Sequence, residues 1–380
     1  MTAPPDPRII RSNRDRRTPS TVGSRRLLLV LGGLLLLAAA GLGLRALLAP
    51  SSPPPAGTTG ATSIILSAPV GGPDGREGPR IGIRVQPARP GENIITISLT
   101  TADGRPLPAP TSTLTLGLTS LDDDAPQDTV DVLWDDTGSA TLRGKQLNRG
   151  GWWRIAATVD AAGKEPVTVP FYLLLPDPNV NGAGAVPVRP STAEARALYQ
   201  RGLQAMTSLH RVRFQQSMAD GQRVGSLSHQ AVNDGADGQL PAFTYRVAGG
   251  LEAVVIGGYR WLREPGEGWV QQGGPPMVPP AAWGDEYAGA TGFRLGRVED
   301  VDGEPCQLLT FVVPETTVPH QQAAAWYAWW VGTRTGQVRR EAMISRSHYM
   351  TNAFSDFDAP LPITPPTDAS PVATPMAPAR

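Results

Sequence analysis

Residues 191–218 read STAEARALYQRGLQAMTSLHRVRFQQSM, and the apolar period changes inside them. Leu198, Gly202, Met206 and Leu209 fall on one face at helical spacing. From Val212 the spacing drops to two, through Val212, Phe214, Gln216 and Met218. Ser191 and Glu194 fit a capping box, with Ser191 as the N-cap. A helix that feeds straight into alternating strands predicts a helix laid against an antiparallel sheet.

The alternation continues downstream. Turns are expected at Asp220-Gly221, Asp234-Gly235 and Asp237-Gly238. Phe243, Tyr245 and Val247 alternate, and Val254 to Trp261, Cys306 to Val313, Ala328 to Val331 and Val338 to Ser347 also read as strands. A short helix is expected near Pro319 to Trp326. This organisation defines a unit over 190–364, one helix followed by a long meander.

Upstream, residues 64–176 carry a different pattern. Ile81, Ile83 and Val85 recur at period two, as do Ile95, Ile97 and Leu99, and Leu114, Leu116 and Leu118. Trp153, Ile155, Ala157 and Val159 follow, then Val167, Val169 and Phe171. With strands near Val130 to Trp134 and Ala140 to Leu142, about seven strands are expected. Each has one apolar face, so two sheets must pack together, as in an immunoglobulin-like sandwich.

The remaining stretches punctuate these two units. Residues 50–63 form a Pro-rich spacer and residues 177–189 a linker of similar composition. Residues 365–380 read as a disordered Pro-rich tail. Leu27 to Leu44 is an uncharged apolar run, and Ala46 to Ala49 extend it past Arg45, so 27–49 is expected to be a transmembrane signal anchor. The run is too long for a signal-peptide core, and Leu47 is bulky where a small residue is wanted before cleavage. Residues 1–26 hold seven arginines against Asp6 and Asp15. By the positive-inside rule this tail stays in the cytoplasm and the bulk of the chain lies outside a bacterial cell membrane, which is crossed once.

Composition narrows the function. The chain has 380 residues, with 34 basic and 34 acidic side chains, so no global field recruits nucleic acid. All the basic residues except Lys145 and Lys164 are arginine, a bias of the genome more than a recognition device. Gly and Pro number 42 and 39, which favours short strands and turns over long helices. The single cysteine, Cys306, rules out an intrachain disulfide framework. It sits in an apolar strand as an inert thiol. His210, His229, His320 and His348 form no metal-binding spacing, and no G-x-S-x-G elbow is present. No enzyme activity and no cofactor are expected.

Two resemblances sharpen these expectations. Pro87-Ala88-Arg89-Pro90-Gly91-Glu92-Asn93 and Gly150-Gly151-Trp152-Trp153-Arg154-Ile155 give the first unit a likeness to the YtkA-like and copper-transport accessory domains, which are immunoglobulin-like sandwiches. Residues 51–190 contain no His, Met or Cys, so the soft ligands that copper needs are missing there. Asp122, Asp123, Asp124, Asp128 and Asp131 have no EF-hand spacing and read as a solvated loop.

The second unit resembles the LolA/LppX-type lipoprotein carriers. The likeness rests on the opening helix and meander, on Gly258-Tyr259-Arg260-Trp261 followed by Trp269, and most on Trp329-Trp330-Val331-Gly332-Thr333-Arg334-Thr335-Gly336-Gln337-Val338-Arg339-Arg340. It implies an antiparallel half-barrel around a helix, enclosing an apolar cavity for a lipid or lipoprotein. Six tryptophans lie in this unit. Trp261, Trp269, Trp283 and Trp329 are the expected cavity-lining residues, since indole supplies large apolar area. The loop from Gly273 to Pro280 is placed as a lid or a membrane-touching segment. The rival expectation is a non-enzymatic envelope module, a sensor or an assembly partner, whose half-barrel is filled by its own side chains. A copper-handling accessory role is the third.

Overall fold

The computed structural model describes residues 63–371, apart from 71–78, 102–103, 109–112, 124, 161–164, 222–224, 237, 275–277 and 316–322. The expected anchor at 27–49, the basic tail and nearly all of the 50–63 spacer lie outside the described residues. Among the described residues no helix is long and apolar enough to cross a membrane.

The chain is mainly β. Its first part has eight strands: β1 (Ile64–Pro69), β2 (Arg80–Gln86), β3 (Asn93–Thr100), β4 (Thr113–Ser120), β5 (Asp128–Val132), β6 (Ser139–Gly144), β7 (Gly151–Asp160) and β8 (Val167–Leu175). They form two four-stranded antiparallel sheets, in the orders β1-β2-β3-β6 and β5-β4-β7-β8. The alternating residues expected from the sequence meet between the sheets: Ile81, Ile83, Ile95, Ile97, Leu114, Leu116 and Ile155 share one buried core. β1, whose residues Ile64 and Leu66 are buried in that core, is the strand that the sequence reading did not separate.

The second part opens with helix α2 (Ala193–Thr207), preceded by the short helix α1 (Pro178–Asn181). The N-cap of α2 is Thr192, one residue beyond the expected Ser191, and its side chain accepts from Ala195 N at 3.2 Å. Ser191 Oγ is taken by the backbone N–H of Phe293 at 3.1 Å, which leaves Thr192 to cap the helix. Ala195, Leu198, Gly202 and Met206 are its buried face, as the spacing requires.

Twelve strands then make one sheet: β9 (Arg211–Ala219), β10 (Ser226–Asn233), β11 (Ala242–Val247), β12 (Glu252–Ile256), β13 (Tyr259–Arg263), β14 (Val270–Gly273), β15 (Thr291–Val301), β16 (Glu304–Val313), β17 (Ala325–Gly332), β18 (Val338–Ser345), β19 (His348–Ser355) and β20 (Ser370–Pro371). Their order is β15-β16-β17-β18-β19-β9-β10-β11-β12-β13-β14-β20. Two meanders, β9 to β14 and β15 to β19, are joined by the antiparallel pairing of β19 with β9.

Three expectations are corrected here. The run Val254 to Trp261 is two strands, because Gly257, at φ 56°, turns the chain between them. Trp326, expected at the end of a helix, is in β17, and the preceding residues 319–322 lie outside the described ones. The tail expected to be disordered from 365 is placed as far as Pro371: Ser370 N donates to Trp269 O at 2.9 Å and β20 pairs with β14.

The helix side of the sheet carries one continuous core. One buried cluster holds α2 residues together with side chains from every strand between β15 and β12 in sheet order. Nine flat strands would span ~38 Å at the usual spacing. A 15-residue helix is only ~22 Å long. The helix therefore covers part of that span, packing on β15, β16 and β18, and the side chains of the other strands extend the same core.

The other face of this sheet is not left to solvent. Cys306, Leu308, Val312, Trp326, Ala328, Trp330, Ala342, Ile344 and Tyr349 belong to the same buried cluster as the sandwich core. Trp152, Tyr172 and Leu174, on the face of β7 and β8 turned away from the sandwich interior, supply the sandwich side. Polar contacts fix the seam: Arg154 pairs with Glu299 at 3.0 Å, and Arg340 Nη1 donates to Tyr172 OH at 3.0 Å. The segment 177–189 is tied into it as well. Asp177 is fully buried, caps α1 through Asn179 N and Val180 N, and accepts from Tyr349 OH at 2.9 Å. Gly221, at φ 78°, has the Tyr349 ring where a Cβ would stand.

Candidate functional site

Register assigns each strand residue to a face. Val212, Val232, Phe243 and Val255 lie in the helix-side cluster and are cross-strand partners in sequence across β9 to β12. Phe214, Gln230 and Tyr245 share that inner face, two residues along. On the other meander the inner face is Leu309, Phe311, Val313, Tyr327, Trp329, Glu341, Asn352 and Phe354.

The four expected tryptophans separate. Trp329 is 2% exposed, with Tyr199 stacked at 5.6 Å and Tyr287 and Phe311 edge-on at 4.8 Å each. Trp283, on the 3-10 segment Pro280–Tyr287, is half-buried and meets Phe214 at 6.0 Å and Phe354 at 6.4 Å. These two face the same side. Trp261 does not join them. Its partner across β12 is Val254, whereas the inward Val255 pairs with Arg260, so Trp261 is on the opposite face. Trp269 carries the guanidinium of Arg263 at 4.7 Å and receives the C-terminal strand. The expected lid loop is described only at its ends, because residues 275–277 lie outside the described ones.

Helix α2 packs against β15, β16 and β18 and against the 280–287 segment. That half of the inner face is filled. Over β9 to β13, Phe214, Tyr245 and Leu262 keep part of their surface accessible, as do Met343 and Met350 on β18 and β19. Trp283 faces this zone. The result is an aromatic and thioether wall beside a filled core, the kind of lining that takes an apolar ligand.

A polar row crosses this wall, unseen in the sequence reading except for Gln216. Glu341, Asn352, Gln216 and Ser228 are successive cross-strand partners over β18, β19, β9 and β10. Glu341, 3% exposed, accepts from Trp329 Nε1 at 2.7 Å, Tyr287 OH at 2.9 Å and Asn352 Nδ2 at 2.8 Å. Gln216 Nε2 donates to Asn352 Oδ1 at 3.2 Å, and Gln230 Nε2 donates to Gln216 Oε1 at 3.4 Å and Ser228 Oγ at 3.2 Å.

Burial raises the Glu341 carboxyl above the ordinary carboxylate range, against the pull of its three uncharged donors. Glu286, beside Tyr287, is pushed up to about 8, first by desolvation and then by the charge of Glu341. Its side chain keeps accessible surface at the edge of this cluster.

The other expected chemistry is spent on structure. Cys306 is fully buried on the sandwich side of the sheet, and burial pushes its thiol up to about 11. Asp123 pairs with Arg149, Asp122 accepts from Trp152 N, and Asp131 accepts from Thr115 Oγ1. Asp124 lies outside the described residues.

Comparison with known proteins finds no matching family model and no matching curated protein. Among solved structures, the lipoprotein LppX of Mycobacterium tuberculosis is similar at 14% identity and a TM-score of 0.35, over 46% of this chain and 100% of that one. LprF from Mycobacterium bovis is similar at 13% identity and a TM-score of 0.37, over 47% of this chain and 99% of that one.

Proposed function

We propose that this chain is a non-enzymatic, membrane-anchored protein that binds a hydrophobic ligand, a lipid or the acyl part of a lipoprotein, on the inner face of a half-barrel. The observation that carries it is the accessible apolar lining of Phe214, Tyr245, Leu262, Met343 and Met350 under Trp283, on a face whose other half is closed by α2. Burying a ligand there gains roughly 25 cal/mol per Å² of apolar surface before ordering costs. Trp283 is the proposed lining tryptophan, and Trp329 packs against Tyr287 in the filled half. Trp261 and Trp269 serve the far edge of the sheet.

The sandwich is read as immunoglobulin-like. Taking β2, β3 and β6 as strands A, B and E, and β4, β5, β7 and β8 as C, C′, F and G, gives the order of that architecture with β1 added at one edge. Its role is to back the twelve-stranded sheet and to set its distance from a membrane. Residues 27–49 are the proposed anchor, with the basic tail in the cytoplasm and everything after residue 50 outside it.

A filled-core envelope module is the second reading, favoured by the 2% exposure of Trp329. Mass spectrometry of an organic extract separates the two. The full chain is purified from a membrane-containing bacterial host, since cutting at 177–189 would expose Trp326 and Trp330. About one equivalent of amphiphile, lost in Trp283→Arg, supports ligand binding. No amphiphile, and no melting shift on adding lipids or lipopeptides, supports the filled module.

A further inference from the structure

On the polar row of the inner face, Glu341 answers the buried donors of Trp329 and Tyr287, but Gln216 and Gln230 further along accept from no buried donor outside the row among the described residues. A buried hydrogen-bond network is commonly matched in stability by apolar side chains of similar volume. Here it interrupts an otherwise apolar wall at one level, in register across four strands. It also keeps bonding capacity in reserve. Gln230 spends its amide nitrogen on Gln216 and Ser228, while its amide oxygen takes no donor among the described residues and is not sealed from solvent. Asn352 Nδ2 makes one bond, to Glu341, and has a second N–H.

Two carboxyl groups stand at one end of the row. Glu341 ends it and Glu286 stands beside that end. All three donors to Glu341 are uncharged. The basic residue that shares this face on the second meander is Arg260 on β13, ~19 Å from β9 at the usual strand spacing. A phosphate placed on the row would meet two carboxyl groups and no basic side chain of the row.

We propose that the row Glu341–Asn352–Gln216–Ser228, with Gln230, is the headgroup site of the hydrophobic ligand and selects an uncharged, hydroxyl- or amide-bearing amphiphile over a phosphate-bearing one. This rests on the ligand-binding reading above. The ligand's hydroxyl or amide N–H groups donate to Gln230 Oε1 and its carbonyl accepts from Asn352, while its chain lies along Phe214, Met343 and Met350.

The test uses two probes with one oleoyl chain, monooleoylglycerol and its glycerol phosphate ester, titrated against the full chain. The neutral ester is expected to bind at least about tenfold tighter, the difference of one or two hydrogen bonds. In Gln216→Met and Gln230→Met, which keep the side-chain shape, that ratio falls towards one. If Gln216→Met fails to melt cooperatively, Gln230→Met alone is read. Equal binding of both probes by the natural chain, or an unchanged ratio in the folded variants, overturns the headgroup site and leaves the hydrophobic reading standing. Failure of both probes to bind overturns both.

Discussion

Trp329 and Trp330 are neighbours on β17, yet their indole N–H groups serve glutamates on opposite faces of the sheet. Trp329 donates to Glu341 at 2.7 Å on the helix side, and Trp330 donates to Glu299 at 2.8 Å on the sandwich side. Glu299 also takes Arg154 of the sandwich. Tyr172 packs edge-on against Trp330 at 5.1 Å. One strand therefore holds the filled half beside the proposed site and the seam between the two parts.

Because the sandwich and the twelve-stranded sheet share a core, they are expected to unfold together. Chemical denaturation followed by tryptophan emission and by far-ultraviolet circular dichroism should give one coincident transition. Trp330→Phe removes the bond to Glu299 and should lower stability by about 1–3 kcal/mol without splitting it. Two separated transitions in the natural chain would refute the shared core.

Gly296, on β15, lies against the sandwich. A Cβ there would run into Leu121 O and Leu308 Cδ2. Gly296→Ala should cost about 1–3 kcal/mol, the usual range for overpacking. Gly184→Ala, where nothing stands within 4 Å, should leave the melting temperature within about 1 °C. Equal effects from the two would contradict the close approach.

Asp177 makes the seam pH-dependent. Desolvation pushes its carboxyl up to about 6, opposed by the Tyr349 hydroxyl and the N–H groups of Asn179 and Val180. A raised pKa in the folded chain means that the native state holds the proton more tightly. The stability this group supplies is greatest below its unfolded pKa and is lost as pH rises through about 6. Urea melts of Asp177→Asn should show a smaller fall in midpoint between about pH 4.5 and about pH 7 than the natural chain shows. The same fall in both would assign the dependence to other groups.

The tryptophans should divide by face. Trp283→Ala is expected to weaken binding of an oleoyl probe by about tenfold or more, since it removes one wall of the site. Trp261→Phe, on the opposite face, should leave that affinity unchanged. A larger effect from Trp261 than from Trp283 in titration calorimetry would place the ligand on the wrong side of the sheet.

The period change at Leu209 to Val212 makes the helix and its meander readable from residues alone, because helix and strand present apolar side chains at different spacings. Spacing alone puts the cap one residue early because Ser191 and Thr192 are equally able to cap, and only the long-range bond from Phe293 N to Ser191 decides between them. Trp261 reads as a lining residue until register puts it outward, since an aromatic ring carries no mark of its face. A clue to the shared core does lie in β17. AWYAWWVG is apolar at every position, which is the composition of a strand buried on both sides. Glu341 was legible by counting two back from Met343, but its three donors come from 280–287, β17 and β19, and no local pattern joins them.

Photocrosslinking tests ligand binding on the inner face most directly. A photoreactive phenylalanine analogue replaces Phe214 on the inner face or, in a second chain, Thr244 on the outer face, and each chain is irradiated in the membranes of its host. A lipid adduct on the peptide bearing position 214, and none on that bearing 244, is expected. Adducts at 244 alone, or at neither position while the chain remains folded, would contradict a ligand on the inner face.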